Sequence, residues 1–461
     1  MEKEIENVLR KVEEDKVKFV NMQFTDIFGV VKSVTIGVKY LENSFNDGTW
    51  FDGSSIEGFA RIHESDMFLK PDPDTYALIP WLNSEEGNTA RFICDVYKPN
   101  GEVFECDPRA ILKKVLKEAA GMGFEYNTGP ELEFFLFKKE NQCDRITSVT
   151  SPQFSKIVDG LKTLPNDKGG YFDLSMDKAY QIRREMVTTL EKFGIDVEAS
   201  HHEVALGQHE IDFRYGNALK TADSATTMRF VLKAVAEKYG LHATFMPKPI
   251  SGMNGSGMHV HQSLFMDGEN LFYDPNDRYL LSKTAKQFIA GQLKHIKAMS
   301  AVISPTVNSY KRLTPGYEAP VYISWAHTNR SALIRIPRIP KERTKSARAE
   351  LRSADPSCNI YLAFAVMLKS GLDGIKSNME APEPIEENLY QFSDEKLLER
   401  KVEQLPYSLW QALKELKEDE VVKEAIGKEA CEKYIAAKTK EWDEYRLQVT
   451  PWEIEKYLEV Y

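Results

Sequence analysis

Apolar positions recur at helical spacing over residues 4–15. They then switch to strand-like alternation over 17–24 and 30–38, with Phe28-Gly29 as the turn between them. Residues 43–80 are rich in Gly, Ser, Asp and Pro and read mostly as loops. RFICDVY (91–97) predicts a strand, and Lys98-Pro99-Asn100-Gly101 a turn. Asp107-Pro108 opens a helix over 108–121, with Asp able to cap it and Pro at the first position, where no amide donor is missed. Beyond it the pattern alternates. A strand at 131–138 precedes a polar excursion at 139–169, a helix at 177–193, and strands around 195–200 and 210–215. A helix at 222–239, a strand near 243–246 and a Gly-rich loop into MHVHQSLF (258–265) come next. Helices are expected at 283–300, 357–375 and most of 407–438, with an irregular, Arg-rich stretch at 310–352. The organisation is a small strand-rich domain over 1–103 and a large domain over 104–461. The large part reads as α+β or α/β with a mostly antiparallel sheet. No GxGxxG follows a strand and there is no Walker lysine motif, so a Rossmann layer or P-loop is disfavoured.

Composition narrows the function classes. The 461 residues are 42% apolar and 28% charged, as in an ordinary globular protein, and the net charge is −10. An acidic chain lacks the electrostatic footprint of a nucleic-acid binder and is not drawn to anionic membranes. No apolar run approaches the length of a membrane span, and the charged opening MEKEIENVLRKVEEDK is not a signal peptide. Five scattered cysteines without a CxxC pair suit a reducing cytosol, so the expected location is cytoplasmic.

Several stretches carry candidate chemistry. Glu131 and Glu133 are two apart on a strand and share a face. Embedded in aromatics, they repel each other and lose hydration, costs that metal cations would offset. The alternative is a solvated acidic edge. EASHHEVALGQHE (198–210) gathers Glu198, His201, His202, Glu203, His209 and Glu210. Oxygen-rich ligands with few thiolates point to magnesium or manganese rather than zinc. His201 and His202 cannot both face one site on a strand, so Glu203 and Glu210 are the preferred ligands over either histidine. In NGSGMHVHQS (254–263), Gly255 and Gly257 allow close backbone approach, and His259 and His261 share a face. Residues 330–352 hold six arginines and two lysines against two glutamates, a setting for phosphate or carboxylate. A solvated or intersubunit face, with Glu350 merely salt-bridged, is the competing reading. Carboxylates, histidine, an arginine cluster and a glycine loop together imply metal-assisted phosphoryl transfer from a nucleotide.

Seven motifs then occur in an order that resembles type I glutamine synthetase, from about Val17 to Tyr461. They are FDGSS (51–55), GPELEFF (129–135), HHEVALGQHE (201–210), NGSGMHVHQS, KRLTPGYEAP (311–320), NRSALIRIP (329–337) and AELRSADPSCNIYL (349–362). The resemblance implies a small β-grasp domain, a catalytic domain, and a dodecamer of two stacked hexameric rings with shared active sites. It implies ligation of ammonia to the γ-carboxylate of L-glutamate, with ATP as co-substrate and two or more Mg2+ or Mn2+ ions per site. By position, one metal takes Glu133, Glu203 and Glu210, and the other Glu131, His259 and Glu350. Glutamate meets Asn254, Gly255, Arg312 and Arg352. The nucleotide meets Glu198, Tyr215, His261, Ser263 and Arg348, with Arg330 and Arg335 on the transferring phosphate. Asp52, Ser55, Tyr171, Glu203 and Glu318 surround ammonium, Asp52 as the proton acceptor and Glu318 on a closing flap. Arg61 matches an arginine linked to glutamine feedback. Small regulatory proteins are further partners the resemblance allows.

The chain departs from that pattern at 139–169, which is longer than in the compact subtype, and at 338–348, next to Arg348. A ligase using another amine and a catalytically silent relative are the competing readings. Asp52, Tyr171 and Glu318 favour the small ammonium pocket over the former. All six metal positions are filled, against the latter.

Overall fold

The computed structural model describes residues 2–461 except 55, 57–65, 139–161, 165, 166, 168, 174, 176, 318, 328, 341 and 342. Ser55, Arg61, Glu318 and most of the 139–169 excursion therefore lie outside the described residues.

Among those described, the strands form two sheets. The first holds β1 (Val17–Thr25), β2 (Val31–Gly37), β3 (Thr49–Asp52), β4 (Asp66–Pro71), β5 (Ala77–Leu78) and β6 (Asn88–Tyr97). Its order is β2-β1-β6-β4-β3, with β5 also on β6. β1 and β6 run parallel, whereas β1–β2, β3–β4 and β4–β6 are antiparallel. The second holds β7 (Glu125–Lys138), β8 (Val197–His202), β9 (Gln208–Phe213), β10 (Gly216–Asn217), β11 (Leu241–Thr244), β12 (Met258–Met266), β13 (Glu269–Asn270), β14 (Tyr322–Ala326), β15 (Ala332–Arg335) and β16 (Ala349–Leu351). Its order is β14-β15-β16-β12-β7-β9-β8. The sheet is antiparallel as expected, apart from the β14–β15 pair.

Two expectations fail. The stretch 43–80 contains β3 and β4, and 310–352 contains β14, β15 and β16, rather than being irregular. The helical content expected over most of 407–438 is present as three helices, Leu409–Glu418, Glu420–Ile426 and Lys428–Arg446, broken where Asp419 caps one and Gly427 opens the next at φ +90°.

Helix Pro108–Gly121 starts as read, with the Asp107 side chain accepting from the Arg109 amide. The same arginine holds the two sheets' layers together. Its nearly buried guanidinium reaches Asp72 at 2.7 Å, Asp95 at 2.9 Å and Asp223 at 2.9 Å, joining β6 and its flanking turn to helix Ala218–Lys238. Asn359 caps helix Ile360–Lys376 and also donates to the Asp26 and Ile27 carbonyls beyond β1. That helix is apolar over most of its surface and largely buried against helix Lys283–Ile303, with a short polar stripe of Lys369, Asp373 and Lys376 towards its end. The catalytic-side sheet thus has one face against helices and the other free for a site.

Candidate active site

Strand register assembles the site. On β7, Glu131 lies opposite His259 of β12 on one side and Asp212 of β9 on the other. Glu133 lies opposite Glu210, which in turn lies opposite His201 of β8. His261 lies opposite Glu350 of β16, which lies opposite Arg335 of β15. The period of two that placed Glu131 and Glu133 on one face therefore gathers acidic or basic side chains from six adjacent strands, two each from β7, β9 and β12 and one each from β8, β15 and β16.

Two cavities adjoin on this face, sharing Glu131 and Asp212 in their walls. The smaller, about 340 Å³, is lined by Glu198, Tyr215, His261, Ser263 and Arg348, the residues expected at the nucleotide, but not by Arg330 and Arg335, those expected at the transferring phosphate. The larger, about 620 Å³, is lined by Glu133, Glu203, Glu210, His259 and Glu350 as well as Glu131. Asn254, Gly255, Arg312, Arg352, Tyr171, Arg330 and Arg335 line it too. Asp52 is not among the described residues lining either cavity. It ends β3, the edge strand of the other sheet, and is exposed. Its Oδ1 accepts the Ser54 amide at 2.8 Å, which holds the carboxyl below its usual range.

The electrostatics divide the acids into two groups. Burial pushes Glu131 up, but hydrogen bonds from His259 at 3.2 Å and His261 at 2.7 Å outweigh it and hold the carboxyl far below the ordinary range. Arg348 Nε donates to His261 Nδ1 at 3.1 Å, so that ring accepts at Nδ1 and donates from Nε2 to Glu131. Glu350 is fully buried between Arg335 and Arg352, the latter at 2.5 Å. The second group is strained by like charge. Burial and then the charge of Glu203 push Glu133 up to about 8. Burial and then Glu133 and Asp212 push Glu210 up to about 12.

Close approach is built in by glycine. A Cβ on Gly255 would sit 2.2 Å from the Pro247 carbonyl, and one on Gly257 would sit 2.5 Å from Arg312 Nη2. Arg312 is pinned by the carbonyls of Arg352, Ser353 and Ala354, and the Gly257 amide donates to Glu133 at 3.0 Å.

Two sets of potential ligand atoms come within 4.8 Å of one another on this face, Glu131–His259–Glu350 and His201–Glu203–Glu210. Carboxylates gathered this closely, with imidazoles beside them, fit hard divalent cations. The first set is the trio named from the sequence. The second contains His201, set aside there, with Nε2 2.8 Å from Glu203, while Glu133 engages Gln208 at 2.7 Å. Asp212, in the wall common to both cavities, was also missed. Its signal was the alternation Glu210-Ile211-Asp212, which returns a carboxylate to the site face.

Comparison with known proteins matches these features to one family. The chain matches the family described as glutamine synthetase, catalytic domain, over residues 105–457, and that described as glutamine synthetase, beta-grasp domain, over 16–99. It is 51% identical to the glutamine synthetase of Thermotoga maritima over 98% of this chain and 99% of that one. It is 50% identical to that of Methanosarcina mazei over 98% and 97%. Among solved structures, a GmaS/ADP complex superposes with a TM-score of 0.86 at 30% identity, covering 98% of this chain and 99% of that one. Plasmodium falciparum glutamine synthetase superposes with 0.85 at 27%, covering 98% of each. With a β-grasp domain preceding a large catalytic domain whose open sheet face carries this acid–imidazole–guanidinium array, the chain belongs to the glutamine synthetase family.

Proposed function

We propose that this protein is an ATP-dependent glutamate–ammonia ligase of the type I form, producing L-glutamine, ADP and phosphate through γ-glutamyl phosphate. The observation that carries the reading, beside the family match along the whole chain, is the pair of cavities with a common wall at Glu131 and Asp212. A nucleotide in the smaller cavity then has its phosphates directed at a carboxylate in the larger.

Glu131, His259 and Glu350 would hold one Mg2+ or Mn2+, and Glu133, Glu203 and Glu210 another. When bound, such cations neutralise and polarise the transferring phosphoryl group. The remaining work falls to the chain. Arg348, His261, Tyr215, Ser263 and Glu198 bind the nucleotide. Arg312, Arg352, Asn254 and Gly255 orient glutamate so that a γ-carboxylate oxygen attacks the γ-phosphorus and ADP leaves. Arg330 and Arg335 balance the charge that crosses between cavities. Tyr171, Glu203 and Glu318, with Asp52 and Ser55 of a neighbouring copy, form an anionic pocket for ammonium. Asp52 takes a proton from ammonium, the freed nitrogen attacks the acyl carbon, and phosphate departs. Closing this pocket protects the acyl phosphate from water. The protein works in the cytoplasm as a dodecamer of two hexameric rings.

The test is product analysis with purified protein. Glutamine, ADP and phosphate should appear together only when glutamate, ammonium, ATP and a divalent cation are all present. A γ-glutamyl-amine formed from a larger amine in preference to glutamine would identify a different ligase.

A further inference from the structure

Behind the open face, a second cluster occupies dry interior. The side chains of Asp167 and His202 are 1% and 2% exposed, and His209 is fully buried. By composition an Asp–His–His trio within reach of a common point suggests a metal. The hydrogen bonds argue otherwise. His202 Nδ1 lies 2.6 Å from the Glu203 carbonyl, and Nε2 lies 3.1 and 3.3 Å from the two Asp167 oxygens. Both neighbours are acceptors, so both ring nitrogens donate and neither keeps a lone pair for a cation. His209 Nδ1 faces the Arg183 guanidinium at 3.2 Å, a positive charge itself paired with Asp177.

Asp167 does more than neutralise His202. Its Oδ1 accepts the Gly169 amide and its Oδ2 the Gly207 amide, each at 2.9 Å. One buried carboxylate thus ties three segments: the run that leads to Tyr171, the end of β8 next to Glu203, and the turn that starts β9. Tyr171 and Glu203 are two walls of the ammonium pocket in the functional reading above, and both line the larger cavity.

We infer that Asp167, acting through His202 and the two amides, is a positioning residue for ammonium capture, setting the separation of Tyr171 and Glu203. The inference rests on the proposed function. A fully hydrogen-bonded buried ion pair contributes little net stability against an apolar replacement, and its attested use is to fix a particular arrangement. None of the residues lining the smaller cavity hangs from Asp167, so the nucleotide end of the site is spared.

Asp167→Asn keeps the shape and one of the two amide acceptors, but replaces the other with a donor and removes the charge that grips His202. It is expected to raise the KM for ammonium by roughly ten- to a hundredfold, the upper end being the scale on which a misplacement of about 1 Å acts. The KM values for ATP and glutamate should stay near wild type, and glutamate-dependent release of ADP without ammonium, which uses the cation that Glu203 helps to hold in the functional reading, should fall less than glutamine formation does. If the Asn variant does not assemble, His202→Gln, which retains one donor toward Asp167, should give the same pattern in weaker form. Proportionate shifts for all three substrates, or none, would overturn the inference. So would stoichiometric zinc in the wild-type protein that is lost from Asp167→Asn. Wild-type protein that makes no glutamine from ammonium would instead sink the functional reading on which the inference stands.

Discussion

Glu133 is buried to within 9% of its surface, beside Glu203 and Glu210, and its Oε2 already accepts from Gln208 and from the Gly257 amide. A charge so placed is costly unless a cation shares it. Glu133→Gln keeps the volume and removes the charge. It should lower glutamate-dependent phosphate release by about a hundredfold, on the scale by which a damaged metal shell loses affinity or activity. The metal-free variant should melt no lower than wild type, since a repelled buried charge is gone, while the rise in melting temperature on adding Mn2+ should shrink. Undiminished phosphate release would remove Glu133 from the site. At this scale much was legible. The period of two put Glu131 with Glu133 and His259 with His261, and the register bears out both shared faces. The same period said that only one of His201 and His202 faces the site, but not which. That depends on β8 pairing with β9 so that His201 meets Glu210 and His202 meets His209, a tertiary fact with no local signature. Asp167 was invisible for the same reason: its partners are 35 and 40 positions away.

Three helices meet at another histidine. His295 of helix Lys283–Ile303 directs Nε2 to Asp373 of helix Ile360–Lys376 at 2.9 Å, and Nδ1 to Asp419, the cap of Glu420–Ile426, at 2.6 Å. Lys294 also faces Asp373, at 3.4 Å. Burial opposes the charged ring, but its hydrogen bonds to the Asp419 and Asp373 carboxylates outweigh it and raise its pKa. A raised folded pKa means stabilisation that is full below the unfolded value and lost as pH rises through the folded one. The two aspartates, held low by the same ring after burial is outweighed, lose their share only on the acid side. His295→Gln should therefore cost about 2 kcal/mol near pH 6, within the range for charge-assisted hydrogen bonds, and less near pH 9. Melting wild type and variant across that interval checks it, and a gap that widens with pH would mean the ring is neutral in the fold. Elements whose own patterning carries them were read well: helix Pro108–Gly121 from its Asp-Pro start, and β12 from its alternation. β3, β4, β14, β15 and β16 were not. They are three to six residues long, too short to display a period, and are crowded by Gly, Pro and Arg that signal turns or solvent. Their existence depends on neighbouring strands already being in place.

The proposed dodecamer makes two predictions about what a single chain lacks. Helix Pro451–Tyr457 has a full capping box between Thr450 and Glu453, yet Trp452, Leu458 and Tyr461 stand exposed. Seven residues do not hold a helix alone, and the proposed assembly would give the tail a surface to dock on. Truncation after Val449 should leave assemblies smaller than a dodecamer on sizing, and an unchanged dodecamer would show that the tail folds on its own subunit. Asp52 poses the sharper test. It sits exposed on the edge strand of the small sheet, while Arg335 lines the larger cavity of the catalytic sheet. A proton acceptor must touch the ammonium it serves, and Asp52 is not among the described residues of that cavity in its own chain. A site completed across a ring interface resolves this: Asp52 of one chain would serve the cavity of the next. Asp52→Ala and Arg335→Ala should each be inactive in glutamine formation as pure rings, for different reasons, since the first lacks the acceptor in every interface and the second lacks the guanidinium in every cavity. Unfolded together and reassembled with equal random mixing, roughly a quarter of the interfaces should bring an intact Asp52 to an intact Arg335, if distant sites act independently. Glutamine formation near that fraction of wild type, with each variant refolded alone as control, is the expected result. Mixed rings confirmed by mass but without recovered activity would place the whole site within one subunit, and would require the edge strand carrying Asp52 to swing onto its own cavity.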